Sequence, residues 1–107
     1  MIIEYSQRGK ESDVSGLTFG KRYVVICIEG DWYRVLNDRN DPVLYDPNLF
    51  VITESSEPIF WITEYLDGQR YSYPKVWSEP GFFEDFHDGV PEVVKLFWDS
   101  HKKYFAR

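Results

Sequence analysis

From Leu17 to Thr53 the chain alternates short apolar runs with turn residues at close, regular intervals. "KRYVVICIE" (21–29) is rich in β-branched and aromatic side chains, which fit a pleated, half-buried surface and predict a strand. Gly30-Asp31 breaks it. In "WYRVLN" (32–37), Trp32, Arg34 and Leu36 alternate with Tyr33, Val35 and Asn37, the period of a strand with two distinct faces. Asp38-Arg39-Asn40-Asp41-Pro42 predicts the next turn. "VLYD" (43–46) predicts a third strand, and "LFVIT" (49–53) a fourth after Pro47-Asn48. Upstream, "MIIEY" predicts a short edge strand, and the polar "SQRGKESDVSG" (6–16) a loop.

"ESSEP" (54–58) is a brief linker, separating this sheet from an appended region rather than from a second domain. In the stretch 59–73, "IFWITEYL" and "QRYSYP" flank Asp67-Gly68, a dipeptide that tolerates positive φ at both positions and predicts a tight hairpin. Pro74, Pro80 and Gly81 make 74–82 irregular. The final pattern is helical, over 90–105. Pro91 suits the first turn, Glu92 the positive end of the helix dipole, and Lys102 and Lys103 its negative end. Val93, Val94, Phe97, His101 and Tyr104 share one face. In "GFFEDFHDG" (81–89), Phe82, Phe83 and Phe86 have the spacing of a helical turn that inserts two rings into the barrel. Glu84 and Asp85 face water, and Asp88 is expected to cap the last helix. The expected architecture is a mainly β single domain over 1–107, with an added hairpin and one C-terminal helix.

Composition adds two constraints. Aromatics are 19% of the 107 residues, and each ring brings roughly 150–250 Å² to a small core. Net charge is −6, with 18 acids against 12 Lys and Arg, which opposes attraction to phosphate backbones and anionic lipid. Neither a nucleic-acid nor a membrane partner is expected. Any partner held by charge should be basic. The single cysteine, Cys27, lies inside an apolar run and reads as a buried thiol. With no signal peptide pattern, it points to a cytoplasmic location.

Residues 17–52, "LTFGKRYVVICIEGDWYRVLNDRNDPVLYDPNLFVI", resemble the Src-homology-3 (SH3) barrel in the order of their parts. "LTFGKRYVVI" is similar to that family's diverging turn and following strand. "GDWYRV" is similar to its central word, in which an acid precedes two aromatics and a basic residue. "VLYDPNLFV" is similar to its last segment, which includes a single 3₁₀ turn. The resemblance implies a small SH3-like barrel whose groove would use Trp32 as an aromatic anchor, the basis of an alternative reading as a peptide-binding adaptor or aromatic cage. Here the last segment is one residue longer, so Leu49 or Phe50 stands where the family has a tyrosine. The hydroxyl that would bond a ligand carbonyl is missing, and a proline-rich ligand is not expected. Residues 53–107 resemble, in general character, the small bacterial immunity-type proteins that pair with toxins.

Motifs that carry chemistry are sparse. Two histidines and one cysteine do not make a zinc set, and "DFHDG" lacks the alternation of a calcium loop. No nucleophile elbow, phosphate loop or Cys-His word is present, so neither catalytic activity nor a cofactor is expected. The acids gather at Glu29 and Asp31, at Asp38, Asp41 and Asp46, and at Glu79, Glu84, Asp85 and Asp88. Set beside exposed aromatics at Trp32, Tyr33, Tyr45 and Trp77, they predict a docking surface with acidic rims. The expected function is non-catalytic binding of a basic protein partner. An immunity protein that neutralises a basic bacterial toxin, such as a nuclease, fits best.

Overall fold

A computed structural model of the protein describes residues 1–6 and 14–105; most of the loop predicted over 6–16 lies outside the described residues. The chain divides into two compact units, Met1–Tyr73 and Pro74–Arg107. The fold is mainly β, with seven antiparallel strands in the first unit and the longer of two helices at the C-terminal end. No helix among the described residues is long and apolar enough to cross a membrane.

The strands are β1 (Ile2–Tyr5), β2 (Arg22–Glu29), β3 (Trp32–Leu36), β4 (Pro42–Tyr45), β5 (Phe50–Glu54), β6 (Trp61–Leu66) and β7 (Gln69–Pro74). Their main order is β4-β3-β2-β1-β5, with β7 also pairing β2 and β6 pairing β7. Among the described residues the sheet does not close. Contrary to the edge position expected for "MIIEY", β1 is internal, paired with β2 on one side and β5 on the other. Its alternation explains this, since Ile3 and Tyr5 are both buried in the core.

Strand β2 carries the decisive irregularity. Its pairing with β3 slips between Val25 and Cys27. An extra residue reverses which face later side chains occupy. Tyr23, Val25 and, after the slip, Ile28 therefore enter one core with Ile3, Tyr5, Val35, Tyr45 and Phe50. The opposite face of β2 and β3 is not simply solvated. Cys27 is fully buried and Arg34 is 6% exposed. Arg34 donates to Glu29 Oε2 at 2.5 Å and to the Pro42 carbonyl at 2.7 Å, so its buried charge is paired.

Two turns show why particular residues were selected. Asp67 and Gly68 have φ of 52° and 77°, the doubly positive geometry expected of their dipeptide. At the β3–β4 turn, Asn37 is buried, and its side-chain oxygen accepts from the backbone N–H groups of Arg39 and Asp41. Its amide nitrogen donates to the Tyr45 hydroxyl at 3.2 Å, which in turn donates to the Ser15 carbonyl. Gly16 lies against this pair with φ of +85°, and a Cβ there would meet Asn37 Nδ2 at 2.5 Å and Tyr45 Oη at 2.8 Å. A 3₁₀ turn at Pro47–Leu49, capped by Asp46 accepting from the Asn48 N–H, leads into β5.

The second unit has its own aromatic core. A 3₁₀ turn (Lys75–Trp77) is followed by α1 (Phe82–His87) and α2 (Pro91–Tyr104). Trp77 stacks on Phe97 at 4.9 Å between centroids and also meets Phe82, Phe83 and Phe105. Its indole N–H donates to Ser100 Oγ at 2.8 Å, so the ring's one polar atom is satisfied. The phenylalanines of "GFFEDFHDG" thus pack against Trp77 and Phe97 of their own unit. Asp88 does not cap α2 as expected. It closes α1, donating its N–H to the Glu84 carbonyl, while Val90 precedes α2 without a side-chain cap. Gly89, at φ of +76°, lets the chain turn between the two helices before Asp88 can reach the second.

The packing at Gly16 separates backbone strain from steric exclusion. Gly16→Ala and Gly20→Ala both place a Cβ at a strongly positive φ, but only Gly16 has neighbours within reach. Each is expected to lose about 1–2 kcal/mol from the backbone, and Gly16→Ala more because Asn37 and Tyr45 must move. Denaturant midpoints of the two variants measure the difference, and equal losses would show that the Asn37–Tyr45 pair does not require the close approach.

Candidate partner-binding surface

The tight Gly30-Asp31 turn between β2 and β3 brings Asp31 beside β7. The Asp31 N–H donates to the Arg70 carbonyl at 3.0 Å, and the Arg70 N–H donates to Asp31 Oδ1 at 2.9 Å. This reciprocal link fixes one end of an open cleft of about 380 Å³. Its walls mix the apolar Ile28, Tyr33, Pro47 and Ile52 with the charged Asp31, Glu57 and Arg70. The Arg70 guanidinium bonds Glu57 and Ser72. That pairing holds the Glu57 carboxyl below, and the Arg70 guanidinium above, their ordinary ranges. Loss of water around the Tyr33 hydroxyl raises its pKa, against the opposing charge of Arg70.

The residues expected to form the docking surface fall into three places. Trp32 is 46% exposed at the start of β3, as an anchor requires. Tyr33 beside it is half-buried and turns to the core side, where it lines the cleft. Since Tyr33 pairs with Tyr45, Asp46 lies one step along, opposite Trp32 at the same end of the ladder. Asp38 and Asp41 lie at the other end of β3, roughly 15 Å away for a five-residue strand. Glu84 and Asp85 are exposed in the first turn of α1, in the second unit.

Two expected anchors are not on the surface. Tyr45 is 6% exposed and Trp77 4%. Tyr45 is drawn inward because its hydroxyl has a donor in Asn37 and an acceptor in the Ser15 carbonyl. Trp77 is drawn inward because four phenylalanine rings and Ser100 satisfy both its faces and its N–H. Neither can serve as an exposed anchor.

Asp38, although near solvent, is committed to the fold. It accepts from the Thr18 hydroxyl at 2.6 Å, Lys21 Nζ at 2.9 Å and the Tyr23 hydroxyl at 2.8 Å. These bonds, Thr18 first, hold its carboxyl at a pKa of about 2. Glu29 is likewise engaged by Arg34. The Cys27 thiol is pushed well above its ordinary range, chiefly by burial and then by the charge of Glu29, so it is an unreactive neighbour.

Glu57, Arg70 and Ile52 were not singled out from the sequence. Arg70 meets Asp31 across 39 positions, and nothing local in "QRYSYP" marks that pairing. Among the described residues, no group of three or more His, Cys, Asp or Glu side chains is arranged to hold a metal ion. The arrangement offers hydrogen bonding, charge and apolar contact. No family model matches the chain, and no curated protein or solved structure matches it.

Because Asp38 is ionised more readily in the folded protein than in the unfolded chain, its bonds contribute stability that is complete above about pH 4. That stability is lost as the pH falls through its folded value of about 2. Asp38→Asn is expected to be less stable than the parent at pH 6, with the two converging as the pH approaches 2. Thermal melts at steps between these limits measure the gap, and a gap that does not narrow would mean that the carboxylate charge contributes nothing.

Proposed function

We propose that the protein is a non-catalytic acidic binding protein of the immunity type, which neutralises a basic protein, in the simplest case a bacterial toxin, by covering it. The reading takes the strands from β2 to β5 as an SH3-like arrangement put to use as a binding platform. The observation that carries it is the first unit's surface, where large apolar side chains stay exposed: Trp32 at 46%, Ile52 at 52%, Leu66 at 52% and Tyr65 at 68%. They belong to a chain of net charge −6. Aromatic and aliphatic anchors supply binding energy where they desolvate, while an acidic field steers a basic partner and speeds encounter. A secretable nuclease grips phosphate with basic residues, so an acidic inhibitor is its natural complement. The peptide-binding alternative draws on one feature, the cleft that Tyr33 and Pro47 line, of which Trp32 is not a wall.

The test is binding to a purified basic toxin domain encoded beside this protein's gene. Trp32→Ala is expected to weaken binding by about 2 kcal/mol and to leave the melting temperature nearly unchanged, since the ring is half in water already. The association rate should fall as salt rises, because the Debye length shrinks from about 30 Å at 0.01 M to about 8 Å at 0.15 M. Asp41→Lys, which spares the Asp38 network, should slow association more than it speeds dissociation. An acidic partner, or an association rate indifferent to salt, would remove the physical basis of the proposal.

A further inference from the structure

Among the described residues, strands β4, β5 and β6 each pair on one side only. They are not equally open to another strand. β4 has four residues and begins with Pro42, which lacks a donor. β5 has five, one fewer than β6, and begins with Phe50, which is buried in the core. β6, "WITEYL", has six residues, no proline and one charge, and every residue after Trp61 is exposed. Such a segment is the least protected kind of edge.

The backbone of β6 can be assigned residue by residue. On β7, Ser72 pairs with Ile28 of β2, and Arg70 exchanges its backbone groups with Asp31. Peptide groups alternate sides along a strand, so Ser72 and Arg70 face away from β6, and Gln69, Tyr71 and Tyr73 face it. The two-residue turn at Asp67-Gly68 sets these three opposite Leu66, Glu64 and Ile62. The same register puts Thr63 opposite Ser72, and their hydroxyls are 2.7 Å apart. Trp61 donates its N–H to the Pro58 carbonyl. Thr63 and Tyr65 therefore direct their N–H and C=O groups outward, where no strand among the described residues meets them.

Resting on the binding function proposed above, we infer that the outer edge of β6 receives an extended basic segment of the partner protein, which adds a strand by pairing with the backbone of Thr63 and Tyr65. Side chains beside those groups fit such an occupant. Ile62, Tyr65 and Leu66 are exposed for apolar contact. The hairpin and its approach, residues 57–74, carry Glu57, Glu64 and Asp67 against Arg70 alone, and Arg70 is already paired with Glu57. A second copy of this chain would bring another net charge of −6 to the same edge, whereas a segment with alternating lysines would be attracted to it.

The probe is a blocked six-residue peptide of alternating lysine and valine, titrated into the full chain and followed by amide NMR and hydrogen exchange. The expected result is slowed exchange at Thr63 and Tyr65 on saturation, with Ile62, Glu64 and Leu66 unchanged because β7 already holds them. A glutamate-valine peptide should bind at least about tenfold more weakly. The lysine peptide N-methylated at alternate amides, and the variant Thr63→Pro, should both lose the protection; the methylated peptide decides the matter if the variant does not fold. Shifts centred on Tyr33, Ile52 and Arg70 instead would overturn the edge site while leaving a basic-partner surface standing. Protection of the same amides by the acidic peptide would overturn the occupant's charge, and the basic-partner reading with it. Concentration-dependent self-association through β6, or no binding of either peptide, would overturn the edge site as well.

Discussion

Every strand of the first unit is held by the eight residues of β2, directly or through one neighbour. β1, β3 and β7 pair with it, and β5, β4 and β6 hang on those three in turn. One strand serves three partners because β3 takes one edge while β1 and β7 divide the other, on either side of the slip near Ile26. Before the slip its free edge meets β1 at Arg22–Val24; beyond it, Ile28 meets β7. The slip also keeps Tyr23, Val25 and Ile28 in one core, although simple alternation would send Ile28 to the opposite face. Asp31 reaches Arg70 because β2 ends beside β7.

How legible this was depended on how local each cause is. The elements were legible because their signals lie within a few residues of where they act: β-branched runs, Asp67-Gly68, and Pro91 at a helix start. Pairing was not. "MIIEY" has the length and composition of an edge strand, and its internal place depends on β2 and β5, both distant in sequence. Burial was least legible for amphipathic rings. Tyr45 and Trp32 look alike as candidates, yet Tyr45 is buried because Asn37 and Ser15 satisfy its hydroxyl, and no spacing rule announces that pair. Trp77 depends on Ser100, 23 residues away. Of the candidate surface, Trp32 and Asp46 were legible as residues at a strand end, whereas Glu57 and Arg70 required the tertiary link to Asp31.

The acids divide into two groups by what they touch. Glu29, Asp38 and Glu57 are engaged by Arg34, Lys21 and Arg70, and Asp46 caps the 3₁₀ turn. These shape the fold. Their charge still belongs to the long-range field of the molecule, because an ion pair within the chain leaves the net charge of −6 unaltered. For the proposed basic partner, steering and contact are therefore separable: the whole molecule would attract, and only a few side chains could touch. Asp31 and Glu64 each accept one bond within the chain, from the Arg70 N–H and the Tyr73 hydroxyl, but they lie at the surface and, with Asp41, are the acids placed for contact.

An exposed apolar edge strand and a large net charge of one sign answer each other. An edge such as "WITEYL" on a neutral protein would pair with its own copies, since like strands fit one another and nothing opposes their approach. A net charge of −6 opposes it at low and physiological salt, and Glu64 sets an acid within the strand itself. The repulsion does not extend to a basic chain, for which the same field is attractive. In the proposed reading, open edge and acidic surface together discriminate against self and in favour of a cationic partner. That selectivity arises from charge and backbone geometry, without requiring a deep pocket or a catalytic group.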